Sequence, residues 1–547
     1  MNLINDQWIP VRRADGSIVK IAPWEITNDI HDDKRKIVAV ASPRPDFDGA
    51  LTQFLIGLLQ TACTPETEDA WWDWRESPPL PSALKACFEP YEKAFNLYIN
   101  KTAADSETDS KLFMQELLDG NNRAKPHPVS YLLIEASTDN ALKTNTDHFQ
   151  KRPKVKEVMC KDCAAAALYT LQTFAPGGGG GGDGKSTSLR GGGPLSTIII
   201  GSNLWDTVWL NVIISSAFVK HKCEEKTFPW LNIGHFISEK IQIKTIHSQE
   251  MNPEHVFWGM PRRIQLDFSV FNNTETCSIC GCGSQENYMC HRFFDLTGGL
   301  TYQQKQDSTK IPSWINPRHP LSPYTLGENG IPSAVHQHDG IGYRYWLGFI
   351  ENMTSGNTKR MSARVVEQFH TIVHKDGQLW AFGFDMDNAK ANCWYDARMP
   401  ILIINEKQKD AFRGYSEQLI QSANWIADNL GKKIKKALFG EAEIRGNLTF
   451  IKALFWQQTE NVFYQTMHQI RDGLSTNQPS TEIILSWRNK ISQEAIAIFD
   501  EKSQTGDFDA VNPGRVARAR NELSGIIYGD KLKDILGLPK DKTKKKK

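Results

Sequence analysis

Apolar and polar positions alternate over the first residues of the chain. Trp8-Ile9-Pro10-Val11 leads to a polar turn at Ala14-Asp15-Gly16-Ser17, and Ile18-Val19-Lys20-Ile21 follows. Asp-Gly between two such runs predicts a β-hairpin. The period then changes. Leu51, Phe54, Leu55, Leu58 and Leu59 share one face of a helix predicted to run from a cap at Asp48 to about Ala62. Trp71, Trp72 and Trp74 precede Pro78-Pro79-Leu80-Pro81 and read as a packed aromatic corner, or else as a surface on which bases stack. Cys160 to Phe174 predicts a helix, Leu195 to Ile200 a strand, and Asn203 to Phe218 a further helix. Residues 240–270 and 286–305 read as strands and turns, and Arg398-Met399-Pro400 through Ile404 closes this region.

Beyond it the apolar residues step by three and four. Phe412, Tyr415, Leu419, Ala423, Ile426, Leu430, Ile434 and Ala437 make one long amphipathic helix. Phe450, Leu454, Phe463, Met467 and Ile470 make a second; Ile484, Trp487, Ile491, Ala495 and Ile498 a third; Val516, Ala519, Leu523 and Ile526 a fourth. Short connections between them predict an antiparallel bundle. The fold class is therefore α+β: a large mixed N-terminal domain over 1–404, an all-α four-helix bundle over 405–530, and a basic disordered tail over 531–547.

A length of 547 residues calls for more than one core. The net charge of +1 means that any contact with nucleic acid must come from local patches. No stretch approaches a membrane span, and Met1 to Pro10 lacks the pattern of a secretion signal. Reduced cysteines and a cytoplasmic location are the expectation.

Three constellations carry candidate chemistry. The first is a glycine run, Gly177 to Gly182 and Gly184, with glycine again at 191–193, and Lys185 and Arg190 as isolated charges. Such a run brings bare backbone N–H groups against a ligand that a Cβ would push away. Gly179 through Ser186 also satisfies the phosphate-loop pattern, which would make Lys185 and Ser186 nucleotide ligands. That mechanism needs a strand before the loop and a helix after it, whereas the pattern here predicts a helix before and no helix after. A flexible linker is the remaining alternative.

The second constellation is two CxxC knuckles, Cys160/Cys163 and Cys277/Cys280. Together they can form a split, ribbon-like Zn²⁺ site whose four thiolates leave no open position, hence a structural role. Cys282 is an alternate to Cys280, and Cys63, Cys87, Cys223, Cys290 and Cys393 read as ordinary packed thiols. The third is the basic run Asp147 to Lys156 around Phe149, Gln150 and Lys151, which reads as a contact to phosphate or a stacked base, or as a solvated face. Catalytic patterns are sparse. His336-Gln337-His338-Asp339 and Asp385/Asp387/Asn388 could bind a metal, but hydrogen-bonded loops explain them more simply. A zinc-stabilised scaffold that binds only proteins is a further alternative.

The order of these features resembles one family. The opening Asn2-Leu-Ile-Asn-Asp-Gln-Trp8-Ile-Pro-Val11, the Cys160–Cys163 helix running into Ala175-Pro176-Gly177, Leu189-Arg190-Gly-Gly, the Cys277–Cys280 knuckle, the Gly383-Phe-Asp-Met-Asp-Asn388-Ala-Lys-Ala turn and the C-terminal bundle together are similar to the CasA family. That family supplies the large subunit of the type I-E CRISPR surveillance complex, Cascade. The resemblance implies a non-catalytic subunit that reads the protospacer-adjacent motif (PAM) in double-stranded DNA, starts R-loop formation with the guide RNA, and helps recruit a helicase-nuclease. Its other partners would be the backbone, small and guide-end subunits. The resemblance puts minor-groove PAM contact on Gly177, Gly178, Gly179 and Gly180, with Lys185 and Arg190 of the same run as further DNA contacts. It implies a further basic contact after the second knuckle, for which Arg292 is taken ahead of Lys305 and Lys310. It implies a duplex-opening wedge at Asp387, Asn388, Ala389 and Lys390, and a guide-RNA or subunit contact at Phe149, Gln150 and Lys151.

Overall fold

The computed structural model describes residues 1–98, 111–117, 124–136, 157–177, 187–214, 224–233, 243–245, 251–270, 275–283, 288–296, 299–301, 319–326, 332–335, 340–355, 358–387, 390–439, 449–476, 481–503 and 512–539. They form two compact units, 1–338 with 352–398 and 339–351 with 399–547.

The first unit opens on the expected hairpin. β1 (Ile9–Arg13) pairs antiparallel with β2 (Ile18–Ile21), with Val11 opposite Val19. Gly16 takes φ +86 in the turn, a conformation that a side chain would strain. β3 (Ile37–Val40) closes the other edge of β1. Helix α1 (Pro45–Ala62) begins three residues before the expected cap. Pro45 supplies the fixed φ that starts it, while the Asp48 carboxylate accepts from the Ser42 backbone N–H at 2.6 Å and ties back the preceding turn. Instead of one apolar face, α1 is buried on nearly all sides. Phe54, midway along it, meets Trp8, Phe95, Phe113, Tyr169 and Trp258 edge-on at 5.4 to 6.0 Å. Such pairs add about 0.5–1.5 kcal/mol each beyond area burial.

The tryptophans of α2 (Glu68–Glu76), which α3 (Pro81–Phe88) follows, form the packed corner. Trp71 Nε1 donates to Val212 O at 3.0 Å, and Trp74 lies 5.2 Å from the Trp209 ring. β4 (Ala124–Pro128), α4 (Lys161–Phe174), β5 (Ser196–Ile200) and α5 (Leu204–Leu210) follow. α5 stops well short of Phe218, the expected end, and residues 211–214 are not helical. The buried Asn211 side chain explains the stop. It accepts from Ile199 N at 2.9 Å and donates to Ile199 O at 2.8 Å, so it pairs with β5 as a strand would.

β6 (Ile243–Thr245) pairs parallel with the later β9 (Gly299–Thr301), and β7 (Ile264–Val270) and β8 (Tyr288–Leu296) join β4 in a sheet ordered β4-β8-β7. β10 (Tyr324–Leu326), β11 (Pro332–Ala334), β12 (Met353–Ser355) and β13 (Thr358–Met361) form a small antiparallel sheet. After α6 (Arg364–Gln368), β14 (Gly377–Asp387) and β15 (Lys390–Ile401) build the sheet β15-β14-β5.

The second unit is helical: α7 (Lys409–Phe439), α8 (Thr449–Ser475), α9 (Thr481–Ser503), α10 (Pro513–Ile527) and a short α11 (Asp530–Ile535), whose buried Leu532 makes the start of the expected disordered tail part of the fold. α7 packs on α8, α9 and α10. Its seam is buried at Phe412, Leu419, Ala423, Ile426, Leu430, Ile434 and Ala437. The α9 seam at Ile484, Trp487, Ile491, Ala495 and Ile498 is buried throughout, and α8 and α10 slip by one position only at one end. Phe450 is 56% exposed and Ile451 is buried in its place; Ile527 rather than Ile526 lies inside. Residues 339–351 join this unit, which was not expected, because their aromatics complete its core. Tyr343 stacks on Phe463 at 4.3 Å and bonds Thr459 Oγ1 at 2.8 Å. Among the described residues no helix is long and apolar enough to cross a membrane.

Candidate nucleic-acid interface

Helix α4 is the axle of the site. Cys160 caps it by accepting the Cys163 N–H on sulfur at 3.5 Å. Ala164 to Ala167 are buried, and their small side chains let the helix pack closely on α1. Toward the far end, the Gln172 amide donates to the carbonyls of Arg262 and Met114 and accepts from Arg262 N. Fourteen residues span about 21 Å. One end therefore carries cysteines, and the other delivers the chain into the glycine run.

At the cysteine end, Thr276 and Gly283 form a β-bridge that closes a tight loop, with Gly281 at φ +72. Ser278 N donates to Val158 O, which pins this loop beside α4. Four thiols converge. The Sγ atoms of Cys160, Cys277, Cys280 and Cys282 lie within 4.8 Å of one another; Cys163, the remaining expected ligand, is buried beside Cys160, whose sulfur accepts its backbone N–H. Cys282 thus joins the expected set, held by Cys277 N, which donates to Cys282 O at 2.9 Å. Hydrogen bonds from the Cys160 and Cys163 thiols pull Cys277 down to about 6 and Cys280 further, whereas Cys163 is pushed up. Lys20 pairs with Asp162 at 2.5 Å; burial opposes its charge, but Asp162 and the neighbouring Cys160 and Cys282 hold its pKa up. A thiolate-rich centre with a cation and a helix N-terminus beside it suits a soft metal. Zinc–sulfur bonds of 2.3 Å imply a tetrahedral edge near 3.8 Å, and Cys160–Cys280 stands at 3.7 Å. Cys280–Cys282 is shorter, 3.2 Å. The donor set therefore fits a closed structural metal site. Of the thiols expected to be packed, Cys290 is buried and Cys393 is exposed.

At the other end the glycine run leaves and returns through a closed stem. Ser188 N donates to Ala175 O at 3.0 Å, and Gly193 N to Phe174 O at 3.3 Å. A Cβ on Gly192 would lie 3.2 Å from Pro176 Cα, so the two legs touch backbone to backbone. A Cβ on Gly177 would meet the Thr187 methyl at 3.2 Å. Arg262, buried and with its pKa lowered to about 10 by that burial, donates to Pro176 O at 2.5 Å. Gly178, Gly179, Gly180, Lys185 and Ser186 lie outside the described residues. The flanks are α4 before and β5 after, the reverse of the order a phosphate loop requires.

Arg190 departs from its expected role. Its guanidinium turns inward and donates to Ser196 Oγ, Ser322 Oγ and Gln53 Oε1, each at 2.9 Å, with its carbon 5.9 Å from the Phe174 ring centre. Burial lowers its pKa to about 10, which leaves it charged at neutral pH. With three of its N–H donors spent on the interior, it serves as a strut of the stem.

The stem rests on β14. β5, which leaves the stem, pairs with it, Phe382 opposite Ser196. Phe384 and Trp394 close on Phe174 at 5.8 and 5.6 Å, gathering the end of α4 and both strands of the β14–β15 hairpin. Gly193, at φ +64, sits where a Cβ would fall 2.5 Å from Met386 Cγ. Asp387 is exposed at the end of β14, and β15 resumes at Lys390. Asn388 and Ala389 lie outside the described residues, as do Phe149, Gln150 and Lys151, the His336–Asp339 stretch and the 540–547 end of the tail. The expected groove-reading and wedge segments thus leave the same small framework.

Arg292 stands on β8, 47% exposed, over the Phe294 ring at 5.1 Å and bonded to Asp267 at 2.6 Å. Sequence reasoning missed Arg262, Met386, Phe294 and Asp267. Met386 sits inside the Gly383–Asn388 turn but carried no role there, and the others lie in no motif; only the Gly-rich stretches opposite Arg262 and Met386 hinted at close neighbours.

A family model described as CRISPR-associated protein Cse1 matches residues 2–498. Among solved structures, Thermus thermophilus CasA (Cse1) is 17% identical at TM-score 0.63, over 97% of this chain and 99% of that one. Thermobifida fusca Cse1 is 13% identical at TM-score 0.68, over 99% of each. A chain of a structure described as a CRISPR RNA-guided surveillance complex is 13% identical at TM-score 0.62, over 97% and 99%. These likenesses establish a shared fold.

Proposed function

The chain belongs to the CRISPR-associated protein Cse1 family, and from that premise we propose that it is the large, non-catalytic subunit of an RNA-guided surveillance complex, reading the PAM in duplex DNA and opening the duplex for the guide RNA. One observation carries this reading. The stem of the glycine run and the strand that ends at Asp387 are packed together, so the chain enters the glycine run and the short polar turn from one framework. The minor groove is narrow and its code degenerate, which suits side-chain-free backbone at Gly177 to Gly180. Each step opened costs about 1.4 kcal/mol of stacking, so Asp387, Asn388, Ala389 and Lys390 need only nucleate separation before guide pairing carries it on. Arg292 adds an exposed cation for phosphate or base. Phe149, Gln150 and Lys151 would meet the guide RNA or a neighbouring subunit. Backbone, small and guide-end subunits, and a recruited helicase-nuclease, complete the partner set.

Zinc is the metal we propose for the thiol cluster, with Cys160, Cys277 and Cys280 as constant ligands and Cys163 or Cys282 as the fourth. Its chemistry there is structural: it cross-links the start of α4 to the 277–282 loop.

The test is binding of the assembled complex to duplex targets across PAM variants. Gly180→Asp is expected to abolish PAM-dependent binding, and Asn388→Ala to spare assembly while reducing R-loop yield. Normal PAM discrimination by Gly180→Asp would reject the groove role, and an unchanged R-loop yield in Asn388→Ala would reject the wedge.

A further inference from the structure

The contact between Gly193 and Met386 goes further than joining two loops, and the inference from it rests on the reading above. Gly193 needs glycine twice over. Its φ of +64 is in the left-handed region, and a Cβ would fall 2.5 Å from Met386 Cγ, 3.0 Å from Met386 Cε and 3.1 Å from Phe384 O. One residue on, the fit repeats from the other side: a Cβ on Gly383 would lie 3.1 Å from Pro194 O and 3.3 Å from Leu195 Cα. Directly beyond these contacts, β5 and β14 are hydrogen-bonded from Ser196/Phe382 to Ile200/Gln378. The returning leg of the glycine run and the last turn of β14 therefore fit knob into hole, on a sheet that leaves no slack between them. Asp387 follows Met386 directly.

We propose that Gly193 and Met386 are positioning residues for duplex opening: their fit holds the outer end of β14 at a fixed distance from the base of the glycine run, so strands part at a set place relative to the PAM. Neither touches DNA in this account. They act through Asp387 and the turn that follows it, and PAM binding itself does not need them.

The experiment uses the assembled complex with its guide RNA and two targets, each carrying a fluorescent adenine analogue in the first base pairs beside the PAM. One target is fully paired; the other is mismatched there and so already open. Met386→Ala removes the knob without straining the backbone, and Gly193→Ala fills the hole. For Met386→Ala, PAM-dependent binding of the paired target is expected to persist. Opening of that target, read from the analogue, should slow by about tenfold, the equivalent of one stacked step. The mismatched target should restore the wild-type rate of R-loop formation. Met386→Ala opening the paired target at the wild-type rate would overturn the proposal. Equal loss on both targets would also overturn it, since that is mere structural damage. Failure of the unaltered complex to discriminate PAMs would instead overturn the reading on which the inference stands.

Discussion

Arg190 and Arg292 show how one residue type divides between framework and surface. Arg190 spends its guanidinium on Gln53, Ser196 and Ser322 inside the stem, whereas Arg292 lies open over Phe294 with one carboxylate partner. Their substitutions should differ in kind. Arg190→Ala removes three buried hydrogen bonds and should cost about 1–3 kcal/mol in a denaturant titration. Arg190→Lys should recover only part of this, because an ammonium cannot span the fork. Arg292→Ala should leave stability nearly unchanged, yet lower the salt slope of DNA binding by the assembled complex by about 1. If Arg190→Lys matched wild type in stability while lowering the salt slope, the inward assignment would be wrong. Sequence alone could not separate the two arginines. Both are isolated charges near glycine or a knuckle, and only Gln53, 137 positions away, reveals which one is enclosed.

At the scale of elements, periodicity was readable wherever a helix or strand answers to one partner. The hairpin turn at Gly16 and the α7 seam follow from pattern, because turn chemistry and a single packing face determine them. The misses occur where a distant group intervenes. Asn211 ends α5 by pairing with β5, Asp48 bonds backward to Ser42, and α1 is enclosed on nearly all sides by elements that the local pattern does not contain. The knuckles behave likewise. Spacing identified two CxxC pairs, but the loop's backbone, closed at Thr276–Gly283, brings Cys282 into one cluster with Cys160, Cys277 and Cys280. With Cys163 buried beside Cys160 as an alternate fourth ligand, redundancy is expected at the edge and none at the centre. Cys163→Ser and Cys282→Ser should each keep about one zinc per chain by elemental analysis. The double variant, and Cys160→Ser alone, should lose it. Metal loss from Cys282→Ser while Cys163→Ser keeps its zinc would fix Cys282 as an obligatory ligand and remove the redundancy.

The whole molecule consists of two units with separate cores, and every element argued to handle DNA belongs to the first. The thiol cluster, α4, the stem and β14 form one chain of contacts there, from Cys160 through Phe174 to Met386. The sequence placed the parts of this chain in order along the polypeptide. It could not show that they meet, because the fit depends on Gly193 and Gly383, whose meaning lies in what a missing Cβ allows rather than in any pattern. The same arrangement sets the response to metal removal. Binding free energy at a structural site is folding free energy, so zinc should stabilise only the unit whose segments it joins. In calorimetry of the isolated chain, two transitions are expected, one for each core. A strong chelator should lower the midpoint of one transition by several degrees, since about 1 kcal/mol moves a domain of more than 150 residues by about 2–4 °C. The other, assigned to the helical unit through Trp487→Ala, which empties a fully buried site between α7 and α9, should not move. A chelator that shifts both transitions equally would mean that the cluster stabilises the molecule as one cooperative body, and the separation of DNA framework from helical unit would have to be abandoned.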